Sequence, residues 1–252
     1  MKRWTAVLIS VLALPFLCTA AVGADEPCDV PHYLLLGDAP LQRLSAAVAK
    51  DKQINIAVLG TTSSTLPGAD GAASAYPARL EVALKKLLPS LNVRVTSYAQ
   101  PRQPAGHMAE FVAKLLLDQK PNLVIWQTGT FEALRGSDPE AFRSNVADGV
   151  EKLQAAGADV ILMNMQYSPR TESMLALGPY VDSMRWVARE REVPLFDRLA
   201  IMRHWHDTGA IDLYAATKDF AIAKRAHDCI GRALAAMIID AAHLQGLGGK
   251  TP

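Results

Sequence analysis

Short apolar runs alternate along this chain with longer segments of helical periodicity. The first run, Ile54 to Leu59, is apolar on both faces and stops at Gly60, which is typical of a buried strand in a parallel sheet. Further strands are predicted at 92–97, 122–126, 159–163 and 193–196, with helices between them. This alternation predicts the α/β class: one three-layer α/β/α domain over residues 25–245, with a parallel sheet of about five strands.

Helix boundaries follow from capping residues and apolar spacing. Asp38 is a candidate N-cap for a first helix that ends near Ala49. One long helix is predicted from Thr171 to Glu192, and a last one from Asp219 to His243. Residues 246–252 are predicted to be a disordered tail.

The N-terminus carries the pattern of an export signal. A basic start, Met1 to Arg3, precedes an apolar stretch from Trp4 to Val22 and small residues up to Ala24. This pattern predicts a signal peptide over residues 1–24 and a periplasmic or secreted protein. An uncleaved anchor is the alternative, but the stretch contains Pro15 and is barely long enough to cross a bilayer. No stable membrane span is expected after cleavage.

Two cysteines, Cys28 and Cys229, remain after residue 24. Export to an oxidising compartment favours a disulfide between them, and two unpaired thiols are the alternative.

Composition excludes several kinds of partner and cofactor. The 252 residues are 50% hydrophobic and 20% charged. The net charge of +1 gives no electrostatic argument for a nucleic-acid partner. Glycine-rich phosphate loops are absent, so no nucleotide cofactor is expected. His204 and His206 stand two apart and cannot share a helix face, so no metal site is expected either.

Four hydroxyl residues follow the first strand: Thr61, Thr62, Ser63 and Ser64. Ligands of open α/β sheets bind just beyond the carboxyl ends of the strands, so this cluster marks a candidate site. It could form a nest of hydroxyl and N–H groups for an anion or a sugar. The alternative is a polar turn whose hydroxyls bond to nearby backbone groups.

The chain resembles the SGNH hydrolases, a GDSL-type esterase and lipase superfamily, from Ile54 to Ile239. The resemblance lies in the segments IAVLGTTSS, AYPARLEVAL, PNLVIWQTGTFEALRG, AGADVILMNMQYSPR and FDRLAIMRHW. It implies four functional blocks: a nucleophilic serine, an oxyanion glycine, an oxyanion asparagine and an Asp-x-x-His pair. The corresponding positions here are Thr62, Arg102, Phe131 and the pair Lys218 and Ala221.

No catalytic residue of that tetrad is therefore intact. If the chain is active, the candidates are Thr62 or Ser63 as nucleophile, with His227 and Asp228. Adjacent helical residues point about 100° apart, so we expect a surface or capping role for His227 and Asp228.

A ligand site is predicted from Thr61, Thr62, Ser63, Arg102, Gly129, Phe131 and Lys218. Phe131 could stack on a sugar ring. Arg102 and Lys218 could hold a carboxylate or phosphate, or could be solvated surface charges.

The sequence thus favours an exported pseudo-hydrolase that binds a small molecule or a cell-envelope partner at the former active-site cleft. One alternative is an active esterase or deacetylase acting on an acylated carbohydrate or lipid. A structural accessory protein of the envelope is another.

Overall fold

The computed structural model describes residues 28–35, 39–111, 120–215 and 219–247. Helices flank a parallel sheet with the strand order β2–β1–β3–β4–β5. The strands are β1 (Gln53–Gly60), β2 (Asn92–Ala99), β3 (Leu123–Gln127), β4 (Asp159–Met163) and β5 (Leu195–Phe196). The predicted α/β class and parallel five-stranded sheet are confirmed.

Nine helices are bounded within the described residues. They are α1 (Gln42–Asp51), α2 (Gly71–Ser74), α3 (Tyr76–Leu87), α4 (Thr130–Arg135), α5 (Pro139–Ala155), α6 (Pro169–Met174), α7 (Gly178–Glu190), α8 (Arg198–Asp207) and α9 (Phe220–Ala241). Residues 105–111 are helical as well. In the part of the chain that the structure describes, no helix has the length and apolarity needed to cross a membrane.

The long helix predicted from Thr171 to Glu192 is wrong, because the segment forms two helices, α6 and α7. Leu175 ends α6 in an extended conformation. Pro179 lies in the first turn of α7, where its missing N–H costs nothing, but it cannot continue a helix that begins before it.

Three predictions near the chain ends, the Asp38 cap, the signal peptide and the disordered tail, fall partly or wholly outside the described residues. Asp38 lies outside them, and α1 begins at Gln42 after Leu41, which makes no side-chain cap bond; instead the carboxylate of Asp159 accepts from the first-turn N–H of Leu44 at 2.9 Å. Gln245–Leu247 forms a 3₁₀ turn, and residues 1–24 and 248–252 lie outside.

The strand register places one edge of the sheet under the candidate site. Gly60 pairs with Ala99 at the ends of β1 and β2, and Leu59 pairs with Trp126 near the end of β3. Strands β3 and β4 are buried along their whole length. Because parallel strands end together, the segments that follow β1, β3, β4 and β5 meet at this edge.

Helix α9 closes the fold over α3 and carries a covalent link. Gly231 packs so closely on α3 that a Cβ at this position would lie 2.7 Å from the backbone nitrogen of Leu80. Cys28 and Cys229 form a disulfide with a Cα–Cα distance of 5.3 Å. Next to it, Trp205 donates its indole N–H to the carbonyl of Asp29 at 3.0 Å. The segment before α1 is thereby tied to α8 and α9.

Candidate functional site

A cleft of about 590 Å³ opens at the carboxyl edge of the sheet. Its polar lining combines hydroxyl, amide and imidazole groups with two arginines: Thr61, Thr62, Ser63, Thr65, Arg102, Thr130, Gln166, Tyr167, Ser168, Arg198 and His227. Its apolar lining is Leu66, Pro67, Phe131, Leu134, Met202, Leu213, Ala223 and Ala226. Among the described residues that line it, none is an aspartate or a glutamate.

Residues 61–64 form a hydroxyl turn on the floor of this cleft. Thr62–Ser64 is a single 3₁₀ turn directly after β1. Ser64 is buried and shares a hydrogen bond of 2.9 Å with the hydroxyl of Tyr76. Thr62, the position that the resemblance assigns to the nucleophile, is exposed, whereas Ser63 is half-buried.

One amide oxygen organises the hydroxyl turn. Gln127 Oε1, at the end of β3, accepts from the N–H of Thr61 at 3.0 Å and from the hydroxyl of Ser63 at 3.0 Å. The hydroxyls of Thr61 and Ser64 lie 3.1 Å from the same oxygen. An amide oxygen accepts hydrogen bonds but takes no proton at neutral pH. Gln127 therefore orients the Ser63 hydroxyl without activating it. No local sequence pattern marks Gln127 for this role.

Arg198, the first residue of α8, was also missed. Its side chain is fully buried, with Nη1 donating to the carbonyl of Ser63 at 3.1 Å and Nη2 to Oε1 of Gln166 at 3.4 Å. The guanidinium carbon lies 5.5 Å from the ring centroid of Tyr76. Burial lowers the pKa of Arg198 to about 10, so the group stays charged at neutral pH. Its position directly after β5 and Asp197 was the one available sequence signal.

The surface role predicted for His227 is wrong, because the residue is only 7% exposed and lines the cleft. The alternative, a capping role, is confirmed, because the ring accepts from the N–H of the first residue of α3. Its Nδ1 accepts a hydrogen bond of 3.0 Å from the N–H of Tyr76. Since Nδ1 is the acceptor, the proton of the neutral imidazole is on Nε2. Burial, and then the charge of Arg198, lower the pKa of His227 to about 3. The ring is therefore a neutral hydrogen-bond donor through Nε2.

Asp228, the neighbour of His227 on α9, does not line the cleft. Its carboxylate pairs with Arg79 of α3 and, at 3.1 Å, with Arg232. The angle of about 100° between adjacent helical residues explains why one faces the cleft and the other an ion pair. Asp228 cannot orient the imidazole of His227.

The other predicted ligand residues are distributed around the cleft. Arg102 is exposed at the rim with a φ of 59°, a left-handed conformation that favours glycine, the residue the resemblance implies there. Phe131 is half-buried in the cleft wall. Gly129 is the N-cap of α4, has a φ of 98° and does not line the cleft.

The positions implied for the Asp-x-x-His pair contribute nothing to the described cleft. Lys218 lies outside the described residues. Ala221 is exposed in the first turn of α9. The described residues also contain no group of three or more histidine, cysteine, aspartate or glutamate side chains that could hold a metal ion.

Comparisons with known proteins agree with the fold. Axe2, an acetylxylan esterase from Geobacillus stearothermophilus, is similar in structure with a TM-score of 0.59 at 17% identity, over 75% of this chain and 94% of Axe2. AlinE4, an esterase of the SGNH-hydrolase family, matches with a TM-score of 0.50 at 19% identity, over 68% of this chain and 96% of AlinE4. At these identities the similarity shows the fold alone.

Sequence comparison gives a match that is shorter but higher in identity. The esterase TesA of Pseudomonas aeruginosa is 38% identical over 65 residues, which span 26% of this chain and 32% of TesA. The match thus covers about a third of that relative's length. The model of the non-GDSL lipase-like family matches residues 27–244, nearly the whole described chain. The resemblance to the SGNH and GDSL-type hydrolases is confirmed, and the chain belongs to the non-GDSL lipase-like family.

Proposed function

We propose that this chain is a non-hydrolytic member of its family whose cleft binds a ligand instead of cleaving an ester. The observation that carries the proposal is the hydrogen bond from the N–H of Tyr76 to Nδ1 of His227. A histidine base must offer a free lone pair to the nucleophile's proton. Here the lone pair is engaged by the backbone, and the nitrogen that is left carries a proton.

The nucleophile lacks activation as well. Ser63 donates its hydroxyl proton to the amide oxygen of Gln127, which cannot remove it. A serine hydroxyl without an adjacent base is a weak nucleophile. No carboxylate lines the described cleft to fill that role in place of the histidine.

Stabilisation of an oxyanion is weakened too. Phe131 stands where the resemblance implies an asparagine donor, and its ring offers no hydrogen bond. Removal of one such donor typically lowers the rate by about 10²–10³-fold. These losses affect different steps of the reaction, so together they support binding over turnover.

The test is steady-state hydrolysis of p-nitrophenyl acetate and butyrate by the purified protein. We expect no turnover above buffer, and the same result for Ser63→Ala and His227→Gln. Ser173→Ala is a matched control, because Ser173 is exposed on α6 and bonds only to the carbonyl of Arg170. Turnover that disappears in Ser63→Ala and His227→Gln but survives in Ser173→Ala would overturn the proposal.

That outcome would favour the second candidate, an active esterase. The observation in its favour is that Ser63 and His227 line one cleft next to the cation of Arg198. The sequence match to TesA, which is named an esterase, points the same way over the 65 residues that it covers.

We also propose that the protein is exported. Support comes from the apolar N-terminal stretch and from the disulfide, which persists in oxidising compartments. Intact mass of protein from a bacterial periplasm should correspond to a chain that begins at Asp25. A full-length chain confined to the cytoplasm would contradict this.

A further inference from the structure

We propose that the cleft binds an aliphatic carboxylate, with Arg198 as the charge partner of its head group. This inference rests on the proposed ligand-binding function and specifies the class of ligand.

The positive charge of Arg198 is not balanced by any carboxylate in the described part of the chain. The guanidinium is fully buried, and its three hydrogen-bond acceptors, the carbonyl and hydroxyl oxygens of Ser63 and the amide oxygen of Gln166, are all neutral. Its Nε has no hydrogen-bond partner, and no carboxylate of the described residues pairs with it. The face of Tyr76 compensates only in part. Buried arginines are almost always paired, because an isolated buried charge is costly. An anionic ligand would supply the missing countercharge.

A ligand can reach that charge through the cleft, because Arg198 is one of the residues that line it. Gln166 and Arg198 both line the cleft, and the contact of the Gln166 amide oxygen with Nη2 is long, at 3.4 Å. The Gln166 side chain is only half-buried, so it can turn toward solvent. A carboxylate oxygen in its place would make a charge-assisted bond of about 2.7–2.9 Å. His227 lines the same cleft, and its Nε2–H is a further donor.

The charge and the apolar lining of the cleft favour an aliphatic carboxylate. One buried cation balances a single negative charge, which fits a carboxylate better than a phosphate dianion. Part of the wall is apolar and can accept an aliphatic chain; it is formed by Leu66, Phe131, Leu134, Met202 and Leu213. Leu134 is 64% exposed, which leaves an uncovered apolar side chain beside the cleft. A cavity of about 590 Å³ is ample for a linear chain.

The experiment is titration calorimetry of the full chain with sodium octanoate, octan-1-ol and inorganic phosphate. We expect octanoate to bind and Arg198→Gln to lower its affinity about tenfold or more. Octanol and phosphate should bind only weakly. Arg143→Gln is the control for loss of one positive charge, because Arg143 lies outside the cleft and pairs with Glu140. It should leave the affinity for octanoate unchanged.

Two further variants keep the test independent of the stability of Arg198→Gln. Gln166→Ala removes the competing acceptor and should tighten octanoate binding severalfold. Leu134→Asp, at an exposed position, should weaken it by charge repulsion. Octanoate affinity that is unaffected by these variants, or no octanoate binding by folded protein, would overturn the inference.

Other results separate this inference from the proposed function. If octanol binds as tightly as octanoate, the cleft still binds a ligand but does not recognise its negative charge, and the inference is wrong. If phosphate binds more tightly than octanoate, the site recognises an anion of another class, and the assignment of an aliphatic carboxylate is wrong. Ester turnover that depends on Ser63 would overturn the proposed function itself.

Discussion

The imidazole of His227 is kept neutral by the fold. The ring is buried, its Nδ1 accepts from the backbone of Tyr76, and the charge of Arg198 disfavours a second positive charge nearby. Burial, and then the charge of Arg198, lower its pKa to about 3. In an unfolded chain the same ring has a pKa of about 6.5. Folding is therefore coupled to deprotonation of this residue between the two values.

This coupling predicts how stability changes with pH. As the pH falls from about 6.5 toward about 3, the unfolded chain takes up a proton that the folded chain excludes, so His227 reduces the free energy of unfolding by up to about 1.4 kcal/mol per pH unit. The contribution of His227 to this loss should be absent in His227→Gln, whose amide oxygen can still accept from the N–H of Tyr76. Urea denaturation of both proteins at about pH 7 and about pH 4.5 checks this. Equal losses in the two proteins would contradict the low pKa, because all other groups are common to both.

The residues of the cleft differ in how far sequence could predict them. Ser63 follows from the end of an apolar strand, because strand ends mark sites in α/β sheets. The orientation of His227 depends on how α9 is rotated, and one residue changes the direction by about 100°. Gln127 and Arg198 act through contacts with the hydroxyl turn, more than sixty residues away in the chain. Such contacts depend on tertiary packing, which no local pattern encodes.

At the scale of elements, strands were easier to predict than helix breaks. Strands β3 and β4 are buried on both faces, so their continuous apolar runs stand out in the sequence. The division between α6 and α7 depended on Pro179, since apolar spacing alone continues across it. The contact between α3 and α9 is likewise set by a small residue, Gly231, that lets two backbones approach.

Substitution of that glycine should disturb the packing of α9 on α3. In Gly231→Ala the new Cβ would lie 2.7 Å from the nitrogen of Leu80 and 2.8 Å from backbone of Arg79, so the helices must separate. We expect a loss of about 1–3 kcal/mol in the free energy of unfolding, measured by urea denaturation. Gly106→Ala is the control, because its Cβ would meet only the Asn145 side chain at 3.4 Å, and alanine should be neutral or slightly stabilising there. Equal effects of the two variants would show that α3 and α9 adjust freely.

At the scale of the whole molecule, α9 links the site, the core and the chain ends. Within five residues it carries His227 in the cleft, Cys229 in the disulfide and Gly231 against α3. The disulfide joins positions separated by 201 residues, so it closes nearly the entire domain into one loop. A constraint of this length mainly reduces the freedom of the unfolded chain, and for that reason it stabilises the fold as a whole.

Removal of the disulfide should therefore lower global stability and leave the cleft in place. For Cys28→Ser/Cys229→Ser we expect the free energy of unfolding to fall by about 2–5 kcal/mol, as guanidinium denaturation would measure. A reductant should bring the unmodified protein to a similar midpoint and leave the double variant unaffected. The folded variant should still bind octanoate with unchanged affinity, because neither cysteine lines the cleft. A variant as stable as the unmodified protein would mean that the short segment around Cys28 is held by contacts such as the bond from Trp205 to Asp29, and not by the covalent link.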